Sequence, residues 1–446
     1  RGRGLPDAAE RGQLPNGRGG VPAAADASDN EGGVTASTAA ATASGAPKPG
    51  HNKTRPRTPS EWILMILAVL VGLVLLGAPL FVIVCGLAVS CFIAFPEFEG
   101  MFTSLDGLTR NFNLIEPMVA LAEQPTMVAI PFFMIAGAIM SRGAIAERLV
   151  DFANALFGWL PGGLALSTIA ACMLFAAISG SSPVTVITIG AIMLPALAKA
   201  GYDEKLSLGL VTSAGSLGIV IPPSIPMIIF AIFATQSGAQ DVTVDNLFIA
   251  GIGPGILIAT LLGAYVMWKC RKLERTPFRW KALGEALLDG LWALFLPVFV
   301  LGGIYGKLFN ATEAAAISVV LALLIELVIH RSLKPSDLPD ILSDTAVLMG
   351  SVLIIICVAF GLTEFLVQHD VPEQIVKWLN GLGLSSLEFV LLLNILLLVV
   401  GCLMDIISAI ILFVPLVAPV AGLCGFDPVH IALIFIVNLE IGYLTP

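Results

Sequence analysis

Apolar runs of membrane-span length fill the chain from residue 62 onward. They lie at 62–95, 113–141, 205–236, 246–269, 289–308, 312–330, 345–368 and 428–446. About 20 apolar residues suffice for a helix to cross a bilayer. The runs do not alternate in strand-like units, so the pattern predicts an all-α polytopic membrane protein rather than a barrel. The first run is interrupted at Gly77-Ala78-Pro79 and reads as one bent span or two. Two further runs, 164–199 and 387–421, are apolar at both ends and broken near the middle. Ser179, Gly180, Ser181, Ser182 and Pro183 stand in a row in one, and Gly401 to Asp405 interrupt the other. Equal halves around a central break predict two re-entrant helical hairpins. Amphipathic stretches at 144–159 and 371–382 predict helices lying in the interface. All six tryptophans fall near segment ends, where an aromatic belt is expected.

The polar punctuation repeats. At an offset of 224, Gly137 meets Gly361, Pro195 meets Pro419, Gly201-Tyr202-Asp203 meets Gly425-Phe426-Asp427, Gly218 meets Gly442, and Pro222 meets Pro446. Glycine and proline set backbone geometry, so one ungapped register shared by all of them predicts two structurally related halves. Repeat one is placed at about 62–236 and repeat two at about 289–446, within a membrane transport domain spanning 62–446. Paired broken helices in a long repeat are a feature of secondary transporters.

Charge adds an orientation. Six basic residues crowd 269–281 (Lys269, Arg271, Lys272, Arg275, Arg279 and Lys281), which places that loop in the cytoplasm. Counting spans from there, the 164–199 hairpin opens to the cytoplasm and the 387–421 hairpin to the outside, an inverted pair.

Composition narrows the function. Of 446 residues, 57% are hydrophobic and only 12% charged, against about 25% charged in soluble domains; the mean hydropathy is +0.94. The net charge of −9 argues against a nucleic-acid partner. Seven cysteines form no CxxC pair and four histidines are scattered, so neither a metal centre nor a cofactor is expected. Residues 1–58 are rich in Gly, Ala, Pro, Ser and Thr, and are expected to form a disordered extension. The chain starts with Arg and stops at Pro446, which reads as a fragment at both ends.

The candidate chemistry sits in four breaks: 179–183, 215–224, 401–405 and 442–446. A broken membrane helix leaves backbone groups that only protein or a wet cavity can satisfy. Free N–H groups at helix N-termini favour anions, and free carbonyls at C-termini favour cations. Meeting in one cavity, the breaks would suit a cation-coupled carrier of a small organic anion. The candidate binding residues are Ser179, Gly180, Ser181, Ser182, Gly215, Ser216, Gly218, Pro222, Pro223, Ser224, Gly401, Asp405, Gly442 and Thr445. Asp405 is an acid in an apolar run, for which a cation is the natural partner. Glu440 reads equally as a cation ligand or a structural hydrogen-bond partner. Glu313 reads as a helix-start residue, Glu326 as near-interfacial, and Met404 as packing. An intramembrane enzyme using Asp405 and Glu440 is the reading from another class. The surrounding Ser, Gly and Pro coordinate rather than transfer protons, which disfavours it.

The blocks "IPFFMIAGAIMSRGAIAERLVDFANALFGWLPGGLA", "FAAISGSSPVTVITIGAIMLPAL", "AGYDEKLSLGLVTSAGSLGIVIPPSIPMIIFA", "IYGKLFNATEAAA" and "NLEIGYLTP" resemble the large membrane subunit of TRAP transporters, the tripartite ATP-independent periplasmic carriers. The resemblance covers roughly 62–446. It implies a multi-pass protein of the bacterial inner membrane that takes up small organic acids with sodium as coupling ion, with a lean to C4-dicarboxylates. It also implies a periplasmic substrate-binding protein and a small membrane subunit as partners, and elevator motion of a transport unit. Sodium is expected around Ser181, Ser182 and Asp405, within the tips and unwound spans at 179–182, 215–218, 401–405 and 442–445. A stand-alone sodium/dicarboxylate symporter is the alternative.

Overall fold

The computed structural model describes residues 68, 72–73, 76–94, 124–238, 242–271, 273, 277–368, 370–381, 386–423 and 425–445. The expected extension at 1–58, most of the first apolar run before Leu76, the start of the second run at 113–123, and Pro446 lie outside these. Among the described residues all regular structure is helical. In chain order the helices are α1 Leu80–Ala94, α2 Ala129–Arg142, α3 Ile145–Phe157, α4 Gly163–Ser179, α5 Ser182–Lys199, α6 Glu204–Gly215, α7 Ile225–Gln236, α8 Val244–Lys269, α9 Trp280–Asp289, α10 Leu291–Tyr305, α11 Ala311–Leu323, α12 Leu338–Gln368, α13 Val371–Gly381, α14 Ser386–Leu403, α15 Ile406–Leu423 and α16 Pro428–Tyr443.

Five stretches are long and apolar enough to cross a membrane: Pro125–Arg142, Ser182–Lys199, Val244–Lys269, Ala311–Ile329 and Pro335–Thr363. The pair α9–α10, bent by 65°, makes up to six. The expected span at 205–236 is divided into α6 and α7, and that at 289–308 shortens to α10 behind the bend.

Helix boundaries follow the same offset of 224 as the punctuation. Ser179, Ser182, Lys199 and Glu204 bound α4, α5 and α6; Leu403, Ile406, Leu423 and Pro428 bound α14, α15 and α16. Local chemistry explains the match. Gly201 and Gly425 stand at φ +79° and +80°, a left-handed conformation that glycine adopts without strain. The Tyr202 amide donates to Leu197 O at 3.1 Å, and the Phe426 amide to Ala421 O at 3.1 Å, closing each helix C-terminus in the same way. One residue on, the Asp203 carboxylate accepts from the Leu206 amide at 3.1 Å and Asp427 from the His430 amide at 2.8 Å. The repeated Gly-aromatic-Asp is thus a helix stop followed by an N-cap.

The core is built from pairs: α2 against α11, α14 against α16, α3 against α4, and α5 against α6. Helix α7 lies innermost, with Ile225 to Ala234 all buried. Its Phe230 and Phe233 meet Phe435 of α16 and Phe360 of α12 edge to face, at 5.6 and 4.9 Å between centroids.

Two acids in apolar helices have local roles. Glu313 forms a capping box with Asn310, as its position after Asn310 predicts. Glu326 is fully buried. It lies in a π-helical turn, Leu324–Ile329, that extends α11. Its carboxylate accepts from the Ala144 and Ile145 amides at 3.1 and 3.0 Å and from the Ser332 hydroxyl. Helix α3 has no side-chain cap of its own, so Glu326 caps it from across the fold, and Gly143 leaves room for the carboxylate. Thr312 ties the other end of α11 to Pro125 O at 3.0 Å.

Glu326→Ala strands two amides, one buried and one partly buried, and is expected to lower stability by about 3 kcal/mol. Glu313→Ala removes only an exposed cap and is expected to cost about 1 kcal/mol or less. Thermal unfolding of the purified variants in detergent checks the contrast, and equal losses would reduce Glu326 to an ordinary surface cap.

Candidate functional site

The break between α4 and α5 is two residues long. Gly180 ends α4 at φ +59°, its amide donating to Ala176 O at 3.1 Å. Ser181 is extended and starts α5. Pro183 falls in the first turn, where its missing N–H removes no helical bond. The Ser179 and Thr185 hydroxyls lie 2.9 Å apart, and Thr185 donates to Ser181 O at 2.8 Å. The break therefore closes partly on itself.

The remainder closes on the segment between α6 and α7. A short 3-10 turn, Ser216–Ile219, follows α6, and Pro222-Pro223 adjoins Ser224. Ser224 caps α7: its hydroxyl donates to Ile219 O at 2.6 Å and accepts from the Met227 amide at 3.4 Å. The Ile225 amide donates to Gly180 O at 3.2 Å, joining the two breaks directly. A methyl group on Gly180 would stand 2.7 Å from Pro223 O, and one on Gly218 3.0 Å from Ser181 O. Both glycines are needed for the close approach.

The second pair is built differently from expectation. Helix α14 runs unbroken through Gly401 to Leu403, and α16 through Gly442 to Tyr443. Gly401 and Gly442 are not unwound. They are a contact between two helices, where a methyl on Gly401 would stand 3.0 Å from Gly442 Cα, and one on Gly442 2.8 Å from Leu398 O. Nearby, Asn438 bonds Asn394 across the same helix pair at 2.6 Å. The break itself is Met404 and Asp405. Asp405 is exposed, and it is engaged: its carboxylate accepts from the Ser408 amide at 3.0 Å and from the Ser408 hydroxyl, capping α15.

A cavity of about 120 Å³ joins these parts. Gly180, Ser181, Ser182 and Pro183 come from the α4–α5 break; Ile219, Ile225 and Pro226 from the α6–α7 segment; Asp405, Ile406 and Ile407 from the α14–α15 break; and Tyr443 from the end of α16. The N-termini of α5, α7 and α15 thus border one space with the C-terminal ends of α4, the 3-10 turn and α16. Partial positive and partial negative backbone charge face the same cavity. Among the described residues, Asp405 is the only formally charged one lining it.

Of the predicted residues, Gly180, Ser181, Ser182 and Asp405 line the cavity. Gly218, Pro223 and Ser224 shape its wall from behind. Pro222 lies in the same non-helical segment, and Gly215 packs against Val186. Ser179 is turned to Thr185, and the Ser216 hydroxyl donates to Ser213 O at 2.8 Å. Thr445 lies past α16, its hydroxyl donating to Ile441 O at 2.9 Å. Ile219, Ile225, Ile406 and Ile407 carry no sequence signal, because an isoleucine in an apolar run looks like core. Tyr443 falls inside the 442–446 break and was within reach. Glu440 does not line the cavity. It is buried, and neither carboxylate oxygen has a hydrogen-bond partner among the described residues.

Comparison with known proteins adds a family. The family model described as the tripartite ATP-independent periplasmic transporter, DctM component, matches residues 64–446. The C4-dicarboxylate TRAP transporter large permease protein of Pseudomonas aeruginosa is 40% identical over 331 residues, covering 73% of this chain and 75% of that protein. The ectoine TRAP transporter large permease protein of Halomonas elongata is 34% identical over 386 residues, 86% of this chain and 87% of that one. The crystal structure of the YdaH transporter of Alcanivorax borkumensis shares the fold, with a TM-score of 0.58 at 13% identity over 77% of this chain and 79% of that chain.

Gly180→Ala tests the geometry of the break. A left-handed non-glycine residue costs about 1–2 kcal/mol, and here the methyl also meets a backbone carbonyl. Gly209→Ala, in α6 with open space around it, is expected to be neutral or to gain up to about 1 kcal/mol. Thermal unfolding of both variants separates them, and a tolerated Gly180→Ala would contradict the tight junction.

Proposed function

The chain belongs to the DctM family of tripartite ATP-independent periplasmic transporters as a large permease subunit, and from that premise we propose that it carries a small organic acid across the bacterial inner membrane with sodium as coupling ion. The observation that carries this reading is the cavity where three helix N-termini, three helix C-terminal ends and Asp405 meet. An organic anion is attracted by the N-termini. Asp405 opposes it: two like charges 4 Å apart at an effective dielectric near 20 repel by about 4 kcal/mol. A cation bound beside Asp405 turns that repulsion into attraction, so substrate binds well only after the ion. Ser181 and Ser182 supply oxygens on the facing wall. Glu440, buried with no hydrogen-bond partner among the described residues, is a second acidic group for which a cation is the natural complement.

The relatives are permeases rather than enzymes, and their names include C4-dicarboxylates, ectoine and isethionate. The lean to a C4-dicarboxylate rests on the relative of higher identity. A periplasmic binding protein delivers the substrate, and a small membrane subunit completes the complex. Two helix–break–helix units, α4–α5 and α14–α15, open to opposite sides of the membrane and move with α6–α7 and α16 as the elevator unit. The alternative is a stand-alone symporter.

Uptake of labelled succinate into proteoliposomes containing both membrane subunits tests the reading. It is expected to require an inward sodium gradient and purified binding protein. Uptake without binding protein would favour the stand-alone symporter.

Asp405→Asn isolates the charge, because asparagine caps a helix as well as aspartate does. The sodium concentration for half-maximal uptake is expected to rise about tenfold, equivalent to about 1.4 kcal/mol, with thermal stability unchanged. An unaltered sodium dependence removes Asp405 from the ion's surroundings. Changing Ser181 and Ser182 together to Ala is expected to raise the sodium requirement in the same direction, and an unchanged requirement would leave them only packing roles.

A further inference from the structure

A second cavity, of about 440 Å³, opens between α3 and the segment entering α9, away from the helix breaks. Its walls carry opposite charges: Asp151 and Asn154 come from α3, and Arg279 from the residue preceding α9. Both charged side chains are exposed, and they do not pair with each other.

Two neighbouring basic groups are engaged elsewhere. Arg148 donates to Asp289 O at 2.5 Å, and Lys281 lies 3.8 Å from Glu285. Burial and the neighbouring Glu147 push the Asp151 carboxyl above its usual value, with Asp289 adding to them and Arg148 opposing. The α3 wall is therefore acidic and short of a cation, while the opposite wall offers a guanidinium. Aromatic rings frame the space. Trp159 meets Phe278 edge to face at 5.8 Å, and Phe278 meets Trp280 at 4.9 Å.

The surroundings are those of a bilayer surface. No residue of α9 is buried. Leu287 and Leu288 are exposed, and the helix bends by 65° into α10. An amphipathic helix entering an apolar helix at that angle lies along the interface, at the depth of lipid headgroups.

We propose that this cavity seats the headgroup of a zwitterionic phospholipid bearing a primary ammonium, with the ammonium at Asp151 and Asn154 and the phosphate at Arg279. An anionic headgroup meets Arg279 equally but brings no ammonium for Asp151, beside which Glu147 and Asp289 add negative charge. A quaternary ammonium has no N–H to donate to a carboxylate or carboxamide, so phosphatidylethanolamine is preferred over phosphatidylcholine. Arg279 meets phosphate in two-pronged fashion, as guanidinium groups do, and the acyl chains run along the exposed leucines of α9.

The full chain, purified in detergent and offered equal amounts of palmitoyl-oleoyl phosphatidylethanolamine, phosphatidylglycerol and phosphatidylcholine, tests this by native mass spectrometry. One phosphatidylethanolamine is expected to be retained, roughly fivefold over each of the other two, the range of an exposed charge contact. Asp151→Asn and Arg279→Gln are each expected to lower that retention by roughly fivefold. Glu285→Gln, outside the cavity, is expected to leave it unchanged. Both test residues are exposed, so the variants retain the fold, which thermal unfolding verifies. Equal retention of the three lipids, or retention indifferent to both Asp151→Asn and Arg279→Gln, overturns the proposal.

Discussion

A helix that breaks inside a membrane must find partners for its free backbone groups without water. Most of the geometry around the cavity follows from that constraint. The α4–α5 break uses its own hydroxyls, Ser179 and Thr185, and then the Ile225 amide of the neighbouring segment. The α6–α7 segment uses the Ser224 hydroxyl to hold Ile219 O and to cap α7. The α14–α15 break uses the Asp405 carboxylate on Ser408. Two breaks cannot share a hydrogen bond unless their backbones nearly touch. Hence glycine at 180 and 218, where any side chain would strike a carbonyl.

What local partners leave over gives the cavity its character. Helix N-termini and C-termini face it together, so it has no single electrostatic preference. Asp405 shifts the balance toward cations, and its cap on Ser408 fixes where the charge sits. With the proposed coupling cation, a site of this kind would discriminate by order of binding. An anion alone meets Asp405, whereas an anion following a cation meets a neutralised wall. On that reading, coupling is a consequence of charge placement and needs no separate device.

Much of the frame was legible in the sequence because punctuation residues are specific. Gly201 and Gly425 each end a helix in a left-handed turn, and Asp203 and Asp427 each restart one, so the offset of 224 carried real geometry. Asn310 and Glu313 announced their capping box. Contacts across long stretches of chain were not legible. Nothing in the order of residues says that Glu326 serves amides at 144 and 145. Gly401 and Gly442 were misread because glycine marks both unwinding and close helix packing, and only the neighbour across the contact decides between them. The isoleucines of the cavity were invisible for the opposite reason: their type is what any lipid-facing or core position would hold. Asp405 lay between. Its isolation in an apolar run was visible, while its partner three residues on, Ser408, passed as an unremarked serine.

Three acids in apolar helices show how the structure separates architecture from function. Glu326 is fully buried and accepts from two amides and a hydroxyl, so its charge is satisfied by the chain itself. Asp405 is satisfied by Ser408 on one side and open to a cavity on the other. Glu440 is buried and has no hydrogen-bond partner among the described residues. Burial without a partner costs several kcal/mol for a charged group. A buried carboxyl escapes that cost by keeping its proton or by meeting a partner from outside. From Glu326 to Asp405 to Glu440, the described residues satisfy the carboxylate less and less.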